Sequence, residues 1–314
     1  MTHQVVFNLR PFNDSLYLPT AHIVQVDARG LLTYPVKRAI PATLASYGIE
    51  TTPVIARLLD IVGLLSPEAL EKKYKPTRAG IAPTLAALLS GTDTRPVVEK
   101  FIFGHLDTFL TEISTHALPL TLHVENKTLA KDVQITVSPQ EHFPRLFFKK
   151  TPAGIEYRLR IGTEETTLNI RERDVLPLTN TDPAWLLAGY ELLRVAGING
   201  NMVKPFRQKD AVLIPPEQER VYFQKFIAKS IRRSTVEAEG FRVEKTETLL
   251  GTRLEAVENL LDKRWRLRPV FEYGTAGFAF GDRRDRVTAL DIPKAEDGEI
   301  TVRLVCRDSN AERE

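Results

Sequence analysis

Val98–Glu125 reads VEKFIFGHLDTFLTEISTHALPLTLHVE, and the hydrophobic period changes inside it. Val98, Phe101, Ile102, Phe109 and Ile113 recur at helical spacing, which predicts a long amphipathic helix. From Leu120 onward, Leu120, Leu122 and Val124 alternate with Thr121, His123 and Glu125, the period-two pattern of a half-buried strand. The change sits at His116. It divides the chain into an expected mixed N-terminal domain rich in helices, residues 1–116, and an expected β-rich domain, residues 117–314. The fold class that follows is α+β: a helix-rich N-terminal part, then a mostly antiparallel β-rich part with one amphipathic helix.

Upstream of this stretch, Val5–Leu9 and Ile23–Val26 read as strands, and Leu31–Val36 as a short extended piece after a turn at Ala28-Arg29-Gly30. Val54, Ile55, Leu58, Leu59, Val62 and Leu65 mark a helix, with Thr51 or Thr52 as N-cap and Pro53 in its first position. Ser66-Pro67-Glu68 opens another. Ile81, Leu85, Leu88 and Leu89 mark a third, closed by Gly91.

Downstream, Val133, Ile135 and Val137, then Ile155, Tyr157, Leu159 and Ile161, alternate with polar residues, and the short turns between them favour antiparallel pairing. An amphipathic helix is expected at 216–233, with Phe223, Phe226, Ile227 and Ile231 as its apolar stripe and Lys225, Lys229 and Arg232 on another face. Strands are expected at Val236–Val243, Arg253–Val257, Arg264–Tyr273 and Ile300–Cys306.

With 314 residues, 43% of them hydrophobic, the chain buries a large core without covalent staples. Its one cysteine, Cys306, excludes an internal disulfide and fits a reducing, cytoplasmic setting. The N-terminus lacks a basic start followed by an apolar run, and the longest apolar stretch, Val54–Leu65, is broken by Arg57 and Asp60, so no membrane partner is expected.

No Walker-type phosphate loop is present, because Gly197-Ile198-Asn199-Gly200-Asn201 lacks the lysine. G-x-S-x-G, H-E-x-x-H and C-x-x-C are missing too, so no catalytic residue is assigned. His116 and His123 would need Glu112 or Glu125 to complete a metal site, whereas plain surface histidines fit the alternation equally, and no metal is assigned. Asp282, Asp285 and Asp291 would suit a metal-dependent hydrolase acting on nucleic acid if they converged on a cation. Set among Arg283, Arg284 and Arg286, they also suit a solvated, self-neutralising loop. Cys306 alternates with Val302 and Leu304, as a core residue does.

Cations are more suggestive, although a net charge of +3 alone implies no nucleic acid. Lys225, Lys229 and Arg232 on the expected helix, with Arg264, Arg266 and Arg268 on one strand face, are the candidate phosphate contacts. The three arginines equally suit cross-strand pairs with a partner such as Arg253–Glu255. Trp265, Phe271, Tyr273, Phe278 and Phe280 form either a core or an aromatic patch for a stand-alone protein-interaction module. At the end of the chain Ser309 and Glu312 have capping-box spacing, which suits either a frayed polar tail or a helix, and hence more polypeptide, that follows.

Several segments, in order, carry a resemblance: Trp185–Leu193 (WLLAGYELL), Gly200–Phe206 (GNMVKPF), Val212–Pro215 (VLIP), Tyr222–Phe226 (YFQKF), Glu239–Phe241 (EGF), Phe271–Gly274 (FEYG) and Cys306–Asp308 (CRD). Over Thr181–Glu314 the chain resembles the N-terminal accessory region of bacterial Swi/Snf-type helicase-like ATPases. The resemblance implies a non-catalytic accessory or regulatory module that contacts DNA or docks on a C-terminal motor of the same polypeptide. ATP and magnesium would belong to that motor, leaving no cofactor in this chain. It also leaves no catalytic residue here, and the zinc module carried by some relatives is missing.

Overall fold

The computed structural model describes residues 2–75, 83–123, 128–163, 165–222, 235–239, 241–258, 265–274, 276–282, 286–291, 300–308 and 310–312. These begin with strands β1 (Thr2–Asn13), β2 (Leu16–Val26) and β3 (Leu32–Arg38), then helices α1 (Pro41–Ser46), α2 (Pro53–Leu64), α3 (Pro67–Lys73), α4 (Leu85–Ser90) and α5 (Thr94–Thr115). Strands β4 (Leu120–Leu122), β5 (Gln134–Val137), β6 (Phe143–Thr151), β7 (Gly154–Gly162), β8 (Thr167–Asn169), β9 (Val175–Pro177), β10 (Ala184–Ala188) and β11 (Glu191–Val195) come next. Helix α6 (Gly200–Val203), strand β12 (Val212–Ile214) and helix α7 (Pro216–Tyr222) lead to β13 (Thr235–Glu239), β14 (Phe241–Thr246), β15 (Gly251–Glu258) and β16 (Trp265–Tyr273). The last strands are β17 (Ala276–Ala279), β18 (Arg286–Asp291) and β19 (Ile300–Cys306). Helix makes up 28% and sheet 41%, with mostly antiparallel pairs, so the fold class is α+β.

The chain forms two compact units. The first comprises Met1–His142 and Ile161–Gln208. Its sheet has the order β3-β2-β1-β4-β5-β11-β10-β9. Alternate residues of β1 feed different clusters. Val5, Phe7 and Leu9 pack with the helices, Phe7 meeting Phe109 of α5 edge-on at 5.6 Å, while Val6 joins Val24, Leu32 and Ala130. Burial of both sets explains the apolar run Val5–Phe7 and Leu9, interrupted only by the buried Asn8. The helices start where short polar side chains cap them. Thr52 accepts from the Ile55 N–H at 3.3 Å, Ser66 from Ala69 at 3.3 Å and Thr84 from Ala87 at 3.2 Å, each satisfying an N–H left free in the first turn.

One expectation changes. The N-terminal part is not simply helix-rich, because the chain begins with strands that run well past the apolar cores of Val5–Leu9 and Ile23–Val26. The β1–β2 ladder extends from Thr2↔Val26 to Asn13↔Leu16 and so includes polar residues that hydropathy alone leaves out. The first compact unit runs on past residue 116, where β4 lies parallel to β1 with Phe7 opposite Leu120. The helix expected at 216–233 is described as α7 over Pro216–Tyr222, and the rest of that range lies outside the described residues.

The second unit comprises Phe143–Arg160 and Lys209–Glu314. Its ladders are β12-β7-β6-β13, β14-β19-β18 and β15-β16-β17. Phe148 stacks on Tyr157 at 5.0 Å in the first ladder. A separate cluster of Phe271, Tyr273 and Phe278 packs with Val305 of β19.

Phe109 is wholly buried on α5. Phe109→Ala is expected to cost about 3–5 kcal/mol of first-unit stability by urea denaturation, as for other buried phenylalanines. A loss below about 1 kcal/mol would show that this contact does not anchor the helix to the sheet.

Candidate functional site

The register of the β15–β16 hairpin decides which side chains share a face, because directly opposed residues in an antiparallel pair project to the same side. One face carries the pairs Arg253↔Val270, Glu255↔Arg268 and Val257↔Arg266, and the other Leu254↔Pro269, Ala256↔Leu267 and Glu258↔Trp265.

On the first face the charges neutralise one another. Arg268 donates to Glu255 at 2.9 Å, and Arg253 reaches both Glu255 and Glu272 at 2.8 Å. The hydrogen bond from Arg268, aided by the charge of Arg253, holds the Glu255 carboxyl below its ordinary range. Of the candidate phosphate contacts, Arg268 is thus engaged in the cross-strand pairing that the sequence left open, and Arg266 is exposed opposite Val257. Lys225, Lys229, Arg232 and Arg264 lie outside the described residues.

The second face is apolar and divides along its length. At the β17 end Phe271, Tyr273 and Phe278 are buried with Val305. Towards the other end Leu254 is 64% exposed, Trp265 and Leu267 are each 70% exposed, and Phe280 is 69% exposed. The Phe280 N–H donates to the Pro269 carbonyl at 2.7 Å, which places it beside this strand. Single exposed apolar residues are ordinary, but four large ones along one hairpin mark a contact surface. The five aromatics therefore do not act together: three form core, and Trp265 and Phe280 face solvent.

A buried ion pair anchors the core end. Arg307 Nε donates to both carboxylate oxygens of Glu312 at 2.6 and 2.7 Å, with the two side chains only 13% and 5% exposed. The guanidinium lies over the Phe271 and Phe278 rings at 5.7 and 6.0 Å and donates to the Asp282 carbonyl at 2.9 Å. The Tyr273 hydroxyl accepts from the Asp308 N–H at 3.1 Å and donates to Glu312 at 2.9 Å. Burial, with that bond to Glu312, pushes the Tyr273 phenol up to about 12. Glu312 thus binds both Arg307 and Tyr273. Asp308 takes the capping position, accepting from the Asn310 and Ala311 N–H groups at 2.9 and 3.2 Å, while Ser309 lies outside the described residues.

The acidic trio does not read as a simple loop, since Asp291 ends β18, whereas Asp285 lies outside the described residues. Among the described residues no group of three or more His, Cys, Asp or Glu side chains comes together. His116 contacts Glu112 at 3.4 Å, and Glu112 is also held by Arg57 at 2.5 Å. Cys306 is buried, as its alternation implies. No described helix is long and apolar enough to cross a membrane.

Sequence reading missed a cavity of about 930 Å³ in the first unit, whose lining includes Asn8, Arg10, Thr20, His22 and Arg38. Asn8 stands opposite Thr20 and His22 opposite Arg38 in the ladders, so residues far apart in sequence meet on one surface. The signal was the alternation of Asn8 with Arg10 and of Thr20 with His22, which only the register makes meaningful.

Comparison with protein-family models, with curated proteins and with solved structures finds no match for this chain.

Two outcomes test the buried pair. Glu312→Gln should destabilise the second unit by about 2–3 kcal/mol, somewhat below the cost of breaking a fully buried pair, read as faster hydrogen exchange in β16. Because the folded Tyr273 value lies above its ordinary 10, folding favours the protonated phenol. Its stabilisation is complete below about pH 10 and fades as pH rises through about 12. Tyr273→Phe should flatten stability over that window relative to wild type, and equal slopes would contradict the assignment.

Proposed function

We propose that the chain is a non-catalytic accessory module of a nucleic-acid-dependent Swi/Snf-type helicase-like ATPase. It docks on the ATPase motor through the exposed apolar face of the β15–β16 hairpin. The observation that carries this reading is the sorting of the hairpin into a self-neutralised charged face and an exposed Leu254, Trp265, Leu267 and Phe280 face. Tryptophan with neighbouring leucines is the composition of a protein-contact hot spot, whose energy comes from removing large apolar surface from water. A DNA surface is instead strongly positive with cations available to phosphate, and here a phosphate would have to compete with Glu255 for Arg268.

The segments that carry the resemblance support a structural role. WLLAGYELL forms the β10–β11 hairpin, with Gly189 at φ 63° in the first turn position, as a type II′ turn requires. In GNMVKPF, a Cβ on Gly200 would come within 2.3 Å of the Thr179 carbonyl oxygen, so only glycine fits. FEYG and CRD meet where Tyr273 contacts Asp308 and Arg307 covers Phe271. These segments hold the module together rather than supply reacting groups.

A photoreactive amino acid at position 265 or 267, introduced into the protein at native abundance, tests the docking. Cross-links should map to the lobes of a Swi/Snf-type ATPase and disappear when the other position is changed to Ser. Cross-links confined to an unrelated protein would favour a stand-alone interaction module. In parallel, Arg268→Gln should leave affinity for duplex and single-stranded DNA unchanged within about twofold. Salt-sensitive DNA binding that this substitution abolishes would restore the phosphate-contact reading and overturn the one proposed.

A further inference from the structure

The cavity of about 930 Å³ in the first unit is lined by strands β1–β3 on one side and by α2–α3 on another. The strand side carries the polar and cationic groups, with Phe12, Leu18 and Pro19 among them. Buried Thr121 donates to the Phe7 carbonyl at 3.1 Å and lies 3.4 Å from the side-chain oxygen of buried Asn8. Asn8 donates to the Thr20 hydroxyl at 3.0 Å, and that hydroxyl lies 3.4 Å from His22 Nε2. This chain fixes the half-buried imidazole. Arg38 is its cross-strand neighbour, and Arg10 lies close enough on β1 to act on it electrostatically. Burial, then Arg38 and Arg10, lower the His22 pKa, so the ring is neutral at pH 7. Among the described residues neither guanidinium is bound to a carboxylate or to any other acceptor, unlike Arg253, Arg268 and Arg307 of the second unit. The α2–α3 side brings Ser66, Pro67 and the buried Val62 and Leu65, and its Glu68 carboxylate disfavours a second anionic group on that side.

Two monocations beside a fixed neutral imidazole match the charge of one phosphate monoester, which carries nearly two negative charges at neutral pH and suits the planar donors of arginine. Pro67 and the apolar lining beside it would receive the body of the ligand, and the volume is that of a small-molecule pocket. We propose that this cavity binds a phosphate monoester of nucleotide size, with the phosphate between Arg10 and Arg38 and the organic part against α2–α3. The assignment is independent of the hairpin docking and stands or falls without it.

Titration of the whole chain with AMP, adenosine, inorganic phosphate, and oligothymidylate with and without a 5′-phosphate tests it, by calorimetry and by the NMR signals of the His22 ring. AMP should bind, shift those signals and outcompete adenosine. Arg10→Gln and Arg38→Gln should each weaken AMP binding about tenfold, the loss of one charge-assisted hydrogen bond. Both positions are exposed, so unchanged thermal unfolding should accompany the loss. Binding of the 5′-phosphorylated strand in preference to AMP would identify a strand end as the source of the same phosphate. If no phosphate compound binds at millimolar concentration, if adenosine binds as well as AMP, or if both variants bind as wild type does, the site is wrong.

Discussion

The antiparallel register of β15 with β16 is the constraint on which the functional reading rests. A slip of β15 by one residue would move Leu254 and Ala256 to the face of Arg266 and Arg268 and set Arg253 and Glu255 beside Leu267. The charged side chains help to prevent that slip: Glu255 is held from across the ladder by Arg268 and along its own strand by Arg253, which also reaches Glu272. Their energy as exposed pairs is small. Their effect is to specify the register, and with it the apolar character of the opposite face.

That face continues into the second unit's core. Phe271, Tyr273 and Phe278 are on its buried end, where Arg307 and Glu312 close over them, and Trp265 and Leu267 are on the end left open. A surface anchored at one end by a buried ion pair and a hydrogen-bonded phenol is held in shape before a partner arrives. Preorganisation of this kind reduces the ordering cost of docking. In the first unit the corresponding rigid frame is the β1–β2 hairpin, clamped by Phe7 against Phe109, and it places Arg10, His22 and Arg38 around one cavity.

Local signals were legible in the sequence. Thr52 with Pro53, Ser66 with Pro67, and the spacing of Val98, Ile102, Phe109 and Ile113 announce helices through capping and period, which depend on neighbours within a few residues. The alternation at Leu120–Leu122 and Ile155–Ile161 announces strands for the same reason. Non-local features were not legible. Trp265 and Tyr273 sit in the same alternating pattern, and what separates them is contact with Val305 and Glu312, more than thirty residues further along. Glu312 fits a local capping pattern, and nothing in that pattern announces its pairing with the guanidinium of Arg307. Arg10 and Arg38 come together only through the intervening strand β2, so the cationic cavity had no motif to announce it.

Hydrogen–deuterium exchange on the chain, alone and bound to a purified two-lobed Swi/Snf-type motor, tests the docking claim most directly. Docking predicts slowed exchange in Gly251–Glu258 and Trp265–Tyr273 on addition of the motor, with Leu254→Ser or Leu267→Ser removing the protection. Unchanged exchange in both strands, with protection appearing elsewhere in the chain or nowhere, would contradict it.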